Sequence, residues 1–429
     1  MIKKIIIEKL FNQFNYSIEL KDNGVTILTG PNGFGKSTIL KSIEALNKGD
    51  LFFFEKLEFS RLDFYDVSGL NNLRLRKEKG ELKINGIPID EKILHKNIME
   101  KARRDRYLRR ISDDTWIDRR NDNVFKKIDL YEKYYNDYEF TFQIDNEIIE
   151  NEIDIKDSYN NEIINLIKLM KVVSGDIRYI KEQRLYVEKN NFRMEEIQLI
   201  NVIDELPNRF KSIVNEVSNE YSYKANKLDS TYPSRLFETK DGISKQEYLN
   251  KMSYMKDKFE KLKKYDISDI KIPKGVNFVD EHAKALKVYF EDFENKYEVF
   301  NSLIKKLDMF TEIINSRLKF KEIQISRADG ISIIRIDDDK KISLNQLSSG
   351  EKQEIILFYE LIFNIDHNVH LLIDEPEISL HIEWQLKFLD DLLRISEYKN
   401  LNVIVATHSP QIINNHWDIQ IDLGEEYGK

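Results

Sequence analysis

The chain has 429 residues, a formal net charge of −8, 41% hydrophobic residues and no cysteine. It can bury one large or two medium cores, and it contains no apolar run long and uncharged enough to suggest a membrane span. Disulfides and thiolate metal sites, including any CxxC zinc clasp, are excluded, and the acidic total argues against wholesale nucleic-acid coating while leaving room for a local basic face. The N-terminal "MIKKIIIEKL" has one short apolar run broken by charge and no small-residue cleavage site, so a cytoplasmic protein without a secretory signal is expected.

The stretch "GVTILTGPNGFGKSTILKSIEAL" predicts a strand from Val25 to Leu28, a glycine-rich turn, and a helix from Lys36 onward. Gly30, four residues, then Gly35, Lys36 and Ser37 match the spacing of a phosphate-binding P-loop. In such a loop backbone amides surround the phosphates, the lysine neutralises the β and γ groups, and the serine hydroxyl holds Mg²⁺. Further along, "LKINGIPI" places Asn-Gly between short β-patterns and predicts a hairpin. From about Glu91 to Tyr135 the pattern is helical and partly basic. There "KARRDRYLRR" carries Arg103, Arg104, Arg106, Arg109 and Arg110, which is either a solvated helix face or a surface for nucleic acid or an acidic partner. Gln183, in "IRYIKEQRLY", follows an apolar strand pattern.

After Pro207, helices are expected near Asn208 to Leu228, Ser244 to Lys264 and Val279 to Phe320. In the last, Leu286, Phe290, Phe293, Tyr297, Phe300, Ile304 and Leu307 alternate steps of four and three, the spacing of a coiled-coil seam, which predicts a short helical arm. "ISIIRIDDDKKISL" then reads as a hairpin with an acidic turn. In "QLSSGEKQEIILFYELI", Ser348 lies three residues before Glu351, the pattern of a capping box. Ile355, Ile356, Tyr359, Ile362 and Phe363 share one helical face and predict packing against a core. The free amides of the same helix N-terminus also suit an anion, one that need not belong to the same subunit.

"VHLLIDEPEISLHIEWQLKFLDDLL" predicts a buried strand from Val369 to Ile373 that ends in Asp374 and Glu375. In P-loop enzymes the first acid supports the Mg²⁺ shell and a following glutamate orients and deprotonates the attacking water. "NVIVATHSP" is a second buried strand, ending in Thr407 and His408 at the carboxyl edge where open α/β sheets bind ligands.

The ordered set "GPNGFGKST", "LSSGE", "LLIDEP", "ISLH" and "ATHSP" resembles the ABC-type ATPases, specifically their SMC-like branch. The resemblance implies an α/β fold: an ABC-type P-loop ATPase head with an inserted helical region and a short coiled-coil-like arm. Residues 1–200 would form the first part of the head, with a basic helical insert near 91–135, residues 201–320 the arm, and residues 321–429 the rest of the head. It also implies ATP and Mg²⁺ as ligands. Asn32, Gly33, Gly35, Lys36, Ser37 and Thr38 would surround the nucleotide, and Ser37, Asp374 and Gln183 would face the metal. Glu375, His408 and Gln183 would serve the chemistry, with Gln183 as the Q-loop glutamine and His408 as the switch histidine. Ser379 to His381 corresponds to the D-loop and Leu347 to Glu351 to the signature. Ser349 and Gly350 would then bind the γ-phosphate of ATP held by the P-loop of a second copy, in a homodimer or higher homo-oligomer. The departure from the usual transporter signature, Ser349 for glycine and Glu351 for glutamine, is a form of SMC-like heads.

The stretches "YIKEQRL", "KLDSTYPSRL", "SSGEKQEIILFYEL", "DEPEISLHIEWQ" and "ATHSPQIINNHWD" are similar to the ATPase subunits of bacterial anti-phage systems such as Septu and PARIS. This similarity implies a sensor and scaffold for a separately encoded nuclease or toxin effector. OLD-type relatives carry a nuclease after the ATPase; with only a short segment beyond His408 in this sequence, a fused nuclease is not expected. Three alternatives stay open. One is a DNA-repair head of the RecF type, binding DNA through Arg103 to Arg110. A transporter motor is disfavoured by the long interval between Ser37 and Leu347, and a scaffold that binds ATP with hardly any turnover is the third.

Overall fold

A computed structural model describes residues 2–22, 24–89, 107–112, 115–119, 123–126, 161–181, 186–191, 196–267, 278–378 and 380–426. Two compact units divide the chain. The first is built from Met1–Lys181, His367–Pro376 and Ser396–Lys429, the second from Glu182–Asp366 and Glu377–Ile395.

In the first unit the strands Val25–Thr29 and His370–Asp374 are buried at every position, as parallel strands covered on both faces must be. They lie in a five-stranded sheet of order Ile177–Ile180, His370–Asp374, Asn402–Ala406, Val25–Thr29, Gln420–Asp422. Every neighbouring pair is parallel. The helix Lys36–Lys48 buries Ile39, Leu40, Ile43 and Leu46, a helical-period stripe that packs with Leu28, Leu372 and Ile404 of the sheet. The same core takes in Ile5, Phe64 and Leu75 of a six-stranded antiparallel sheet whose edges are Phe14–Glu19 and Ile87–Ile89. Its last hairpin pairs Glu81–Ile84 with Ile87–Ile89 through Asn85 and Gly86. Both turn residues have positive φ, 50° and 82°, the backbone that Asn-Gly supplies for a two-residue hairpin.

The helix expected over 91–135 is not what the described part of that segment forms. Leu108–Ser112, Thr115–Asp118 and Val124–Lys126 make an antiparallel three-stranded sheet. Thr115–Asp118 alternates in burial and turns Trp116 inward, a period of two that prevails over a charge run with no period of its own. Arg109 and Arg110 are exposed on the first strand, whereas Arg103, Arg104 and Arg106 lie outside the described residues.

The second unit contains the long helices Val202–Glu238, Lys245–Lys264 and Ala283–Asn315. Phe290, Tyr297, Phe300, Ile304 and Leu307 of the expected seam are buried, and their helix packs against both of the others. The first helix starts ahead of Pro207, capped by Asn201, and runs on through Pro233. The hairpin Lys321–Ser326 with Gly330–Arg335 follows the arm, and Lys341–Ile342 adds a short third strand. The helix Ser349–Tyr359 continues into one π-helical stretch, Glu360–Asn364. It is buried without interruption from Gln353 to Tyr359 instead of along one face, because aromatic neighbours meet it on several sides. Phe210 packs on Tyr359 and Phe363 at ring distances of 5.1 and 5.0 Å, and Phe388 lies 6.3 Å from Phe358. Among the described residues no helix is long and apolar enough to cross a membrane.

Candidate nucleotide-binding site

The loop after the strand Val25–Thr29 turns through Gly30, Gly33 and Gly35, with φ of 139°, 87° and 84°. At Gly35 a Cβ would lie 2.7 Å from Leu10 Cδ2, so backbone angle and space both demand glycine. The buried Lys36 folds back across the loop, donating from Nζ to the Gly30 carbonyl at 2.9 Å and the Pro31 carbonyl at 3.4 Å. Tyr16 Oη donates to the Phe34 carbonyl at 2.8 Å, and the Phe14 ring lies 4.9 Å from that of Phe34, so the antiparallel sheet braces the loop. Asn32 and Gly33 are exposed, and Ser37 and Thr38 are half-buried in the first turn of the following helix.

Sheet register sets the opposite wall. Asp374 pairs with Ala406, and Ala406 with Leu28, so the acid emerges at the carboxyl edge level with the start of the loop. Asp374 is 7% exposed and accepts two hydroxyl hydrogen bonds, from Ser37 Oγ to Oδ1 and from Tyr179 Oη to Oδ2, each 2.9 Å. Glu375 follows in a left-handed backbone conformation, φ 45°, with its N–H held by the Ala406 carbonyl at 2.9 Å. Such strain in a non-glycine residue persists only where its surroundings enforce it, and it concentrates at functional positions. The Glu375 carboxylate meets His408 Nδ1. His408 is the open member of the pair, its side chain 51% exposed against 15% for Glu375.

The first unit thus brings the P-loop residues, Asp374, Glu375 and His408 together. A hydroxyl and a carboxylate oxygen in contact are the hard-oxygen donor set that Mg²⁺ uses when the rest of its shell is water and phosphate, so these residues fit that ion. Backbone amides and a lysine suit a polyphosphate. Gln183 and Ser379 lie outside the described residues.

The signature segment belongs to the second unit. Ser348 and Glu351 form the capping box, with the Ser348 N–H donating to Glu351 Oε2 at 2.8 Å and the Glu351 N–H to Ser348 Oγ at 3.3 Å. Burial opposes ionisation of Glu351, but Lys321, donating at 2.8 Å, and the Ser348 amide outweigh it and hold the carboxyl below the usual range. Ser349 is exposed and Gly350 half-buried in the first helical turn. Behind them lies a buried polar group that the sequence pattern did not reveal. Arg317 bridges Glu354 and Asp391, and burial pushes the Glu354 carboxyl up to about 8, against the pull of Arg317 and with the help of Asp391. His381 Nδ1 accepts the Glu383 N–H at 3.3 Å, at the start of the helix Ile382–Lys399. Tyr179, in the strand just ahead of Gln183, is a further site residue that no motif in the sequence singles out. An aromatic at the carboxyl end of a strand beside an acidic strand end is the signal that finds it.

A parallel sheet with a P-loop at the end of one strand and two adjacent acids at the end of another, one strand removed, defines the fold of a P-loop ATPase. The family model described as "AAA ATPase domain" matches residues 1–413, and the chain belongs to that family. The chain is 30% identical over 146 residues to the Retron Ec83 probable ATPase of Escherichia coli, a match covering 31% of this chain and 26% of that protein. It is 28% identical over 167 residues to UvrABC system protein A of Clostridium acetobutylicum, covering 38% of this chain and 16% of that one. The matches span less than a third of either relative. Among solved structures, the SMC head domain from Thermotoga maritima aligns over 96% of this chain and 90% of its own at 14% identity and a TM-score of 0.36.

Proposed function

We propose that this chain is an ATP-binding and hydrolysing, SMC-like ABC head that pairs two-fold with ATP between the heads and serves as sensor and scaffold for a separately encoded nuclease or toxin effector in anti-phage defence. The observation that carries the reading is the convergence of Lys36, Ser37, Asp374, Glu375 and His408 at one sheet edge. Lys36 and the loop amides of Asn32, Gly33 and Gly35 to Thr38 bind the triphosphate. Ser37 and Asp374, and by the resemblance Gln183, would hold Mg²⁺, which would supply charge neutralisation of the β and γ phosphates. Glu375 takes the proton of the attacking water, and His408, in contact with that carboxylate, fixes its orientation and faces the γ-phosphate. Ser349 and Gly350, at an open helix N-terminus, complete the site of the partner copy. The similarity to defence ATPases set out above and the relative named as a retron ATPase support the defence role.

Mixing tests the shared site. Lys36→Ala and Ser349→Arg chains are each expected to be inactive, while an equal mixture restores about a quarter of the wild-type ATPase rate, because half the pairs are mixed and each mixed pair has one intact site of two. A mixture as inactive as its components contradicts the two-fold arrangement. The effector is sought by co-expressing the chain with its chromosomal neighbours and capturing it with ATP and Mg²⁺; recovery of a nuclease supports the scaffold role. A second reading, a DNA-binding repair head, draws on the exposed Arg109 and Arg110. Salt-dependent DNA binding without any captured nuclease favours it.

A further inference from the structure

The strand Ile177–Ile180 runs parallel to His370–Asp374 with Tyr179 opposite Leu372. Residues two apart on a strand share a face, so Tyr179, Leu372 and Asp374 all lie on one face of the sheet. Tyr179 and Leu372 pack there in the same core as the helix Lys36–Lys48, the helix whose second residue is Ser37. The tyrosine ring reaches along the strand direction past Leu372, and its hydroxyl donates to Asp374 Oδ2 at 2.9 Å. Ser37 Oγ donates to the other oxygen at 2.9 Å. The carboxylate is therefore pinned from both sides in a site only 7% exposed, and a buried carboxylate with both oxygens engaged has one orientation. A serine hydroxyl can give a lone pair to a cation and still donate its proton to a carboxylate, so both pins are compatible with a bound ion, and the Tyr179 hydroxyl is the one that holds the far oxygen.

We propose that Tyr179 is a positioning residue of the metal site, orienting the Asp374 carboxylate so that Oδ1 faces Ser37. This rests on the reading of Ser37 and Asp374 as the Mg²⁺ residues. The aromatic ring fills the core, and the hydroxyl is the part that acts on Asp374, so Tyr179→Phe separates the two roles.

The test uses the full chain with ATP and Mn²⁺ as the probe, free Mn²⁺ being read by electron paramagnetic resonance, for wild type, Tyr179→Phe and Asp374→Asn. Removing an outer partner of a metal ligand weakens metal binding by about 10-fold or more. Tyr179→Phe is expected to lose Mn²⁺ affinity by about that factor and to need correspondingly more Mg²⁺ for half-maximal ATPase, with unchanged ATP affinity in the absence of divalent metal. Asp374→Asn is expected to lose tight Mn²⁺ binding altogether. Wild-type Mn²⁺ affinity in Tyr179→Phe, beside a defective Asp374→Asn, overturns the positioning role and leaves the metal assignment standing. Wild-type affinity in both variants overturns the two together. Loss of metal-free ATP binding in Tyr179→Phe shows a role in the fold instead and also overturns the proposal.

Discussion

Replacing Arg317 with methionine removes a buried charge from the second unit while keeping much of the side-chain volume. The guanidinium is 2% exposed, beside Glu354 at 4% and Asp391 at 19%. It donates to the Ile313 carbonyl at 2.9 Å and stands 4.9 Å over the Phe358 ring. Removing one partner of a buried ion pair costs about 3–5 kcal/mol because the other charge is left without compensation. With its carboxyl raised to about 8, Glu354 is already largely protonated near pH 7, and Asp391 is partly solvated, which places the loss at the lower end, about 3 kcal/mol. For a unit of this size each kcal/mol moves Tm by about 2–4 °C, so a fall of about 6–12 °C is expected. The sign of the pH dependence follows from Glu354. Its folded value, about 8, lies above its ordinary 4.5, so between those values the folded chain binds more protons than the unfolded one and stability falls as pH rises. Without Arg317 that window extends upward, and the deficit of the variant grows between pH 6 and pH 9. Calorimetry of the wild type, Arg317→Met and the Arg317→Met/Glu354→Gln pair at both pH values is the assay, and the double variant is expected to recover part of the loss. A deficit below about 1 kcal/mol, the worth of an exposed pair, or one that shrinks as pH rises, refutes the reasoning.

Two further predictions concern single buried positions. His370 is 2% exposed, and burial holds its imidazole down to about 4, below the ordinary 6.5. The unfolded chain is protonated first, so stability is full above pH 6.5 and is lost as pH falls towards 4, by about 3 kcal/mol. His370→Gln is expected to flatten urea-measured stability across that range, and an unchanged acid slope contradicts this. A Cβ at Gly330 would lie 2.0 Å from the Pro207 carbonyl oxygen, whereas one at Gly86 meets nothing within 4 Å, at similar φ of 73° and 82°. Gly330→Ala should therefore lower Tm far more than Gly86→Ala; equal effects would show that backbone angle alone sets both costs.

What was legible in the sequence and what was not divides along physical lines. The P-loop strand and the strand ending in Asp374 could be read because parallel strands buried on both faces are nearly unbroken apolar runs, and the Asn85–Gly86 turn because left-handed residues are rare enough to be diagnostic. The capping box of Ser348 and Glu351 is local and was equally plain. The arginine run misled, since charge without period does not distinguish a helix from the exposed strand Leu108–Ser112. The partners of Tyr179 and Arg317 were hidden for a different reason. The Tyr179 bond to Asp374 spans 195 residues and that of Arg317 to Asp391 spans 74, and no local pattern encodes a tertiary contact. The signature helix shows the same limit. Its one-sided stripe implied one packed face, while the aromatics around Phe210 and Phe388 bury it on several.

ATP retention by Glu375→Gln tests the central claim most directly. If Glu375 is the base beside the P-loop, the purified variant turns over ATP far more slowly than wild type and still carries bound ATP through gel filtration as a paired species, with Lys36→Ala carrying none. Turnover by Glu375→Gln at the wild-type rate contradicts the account.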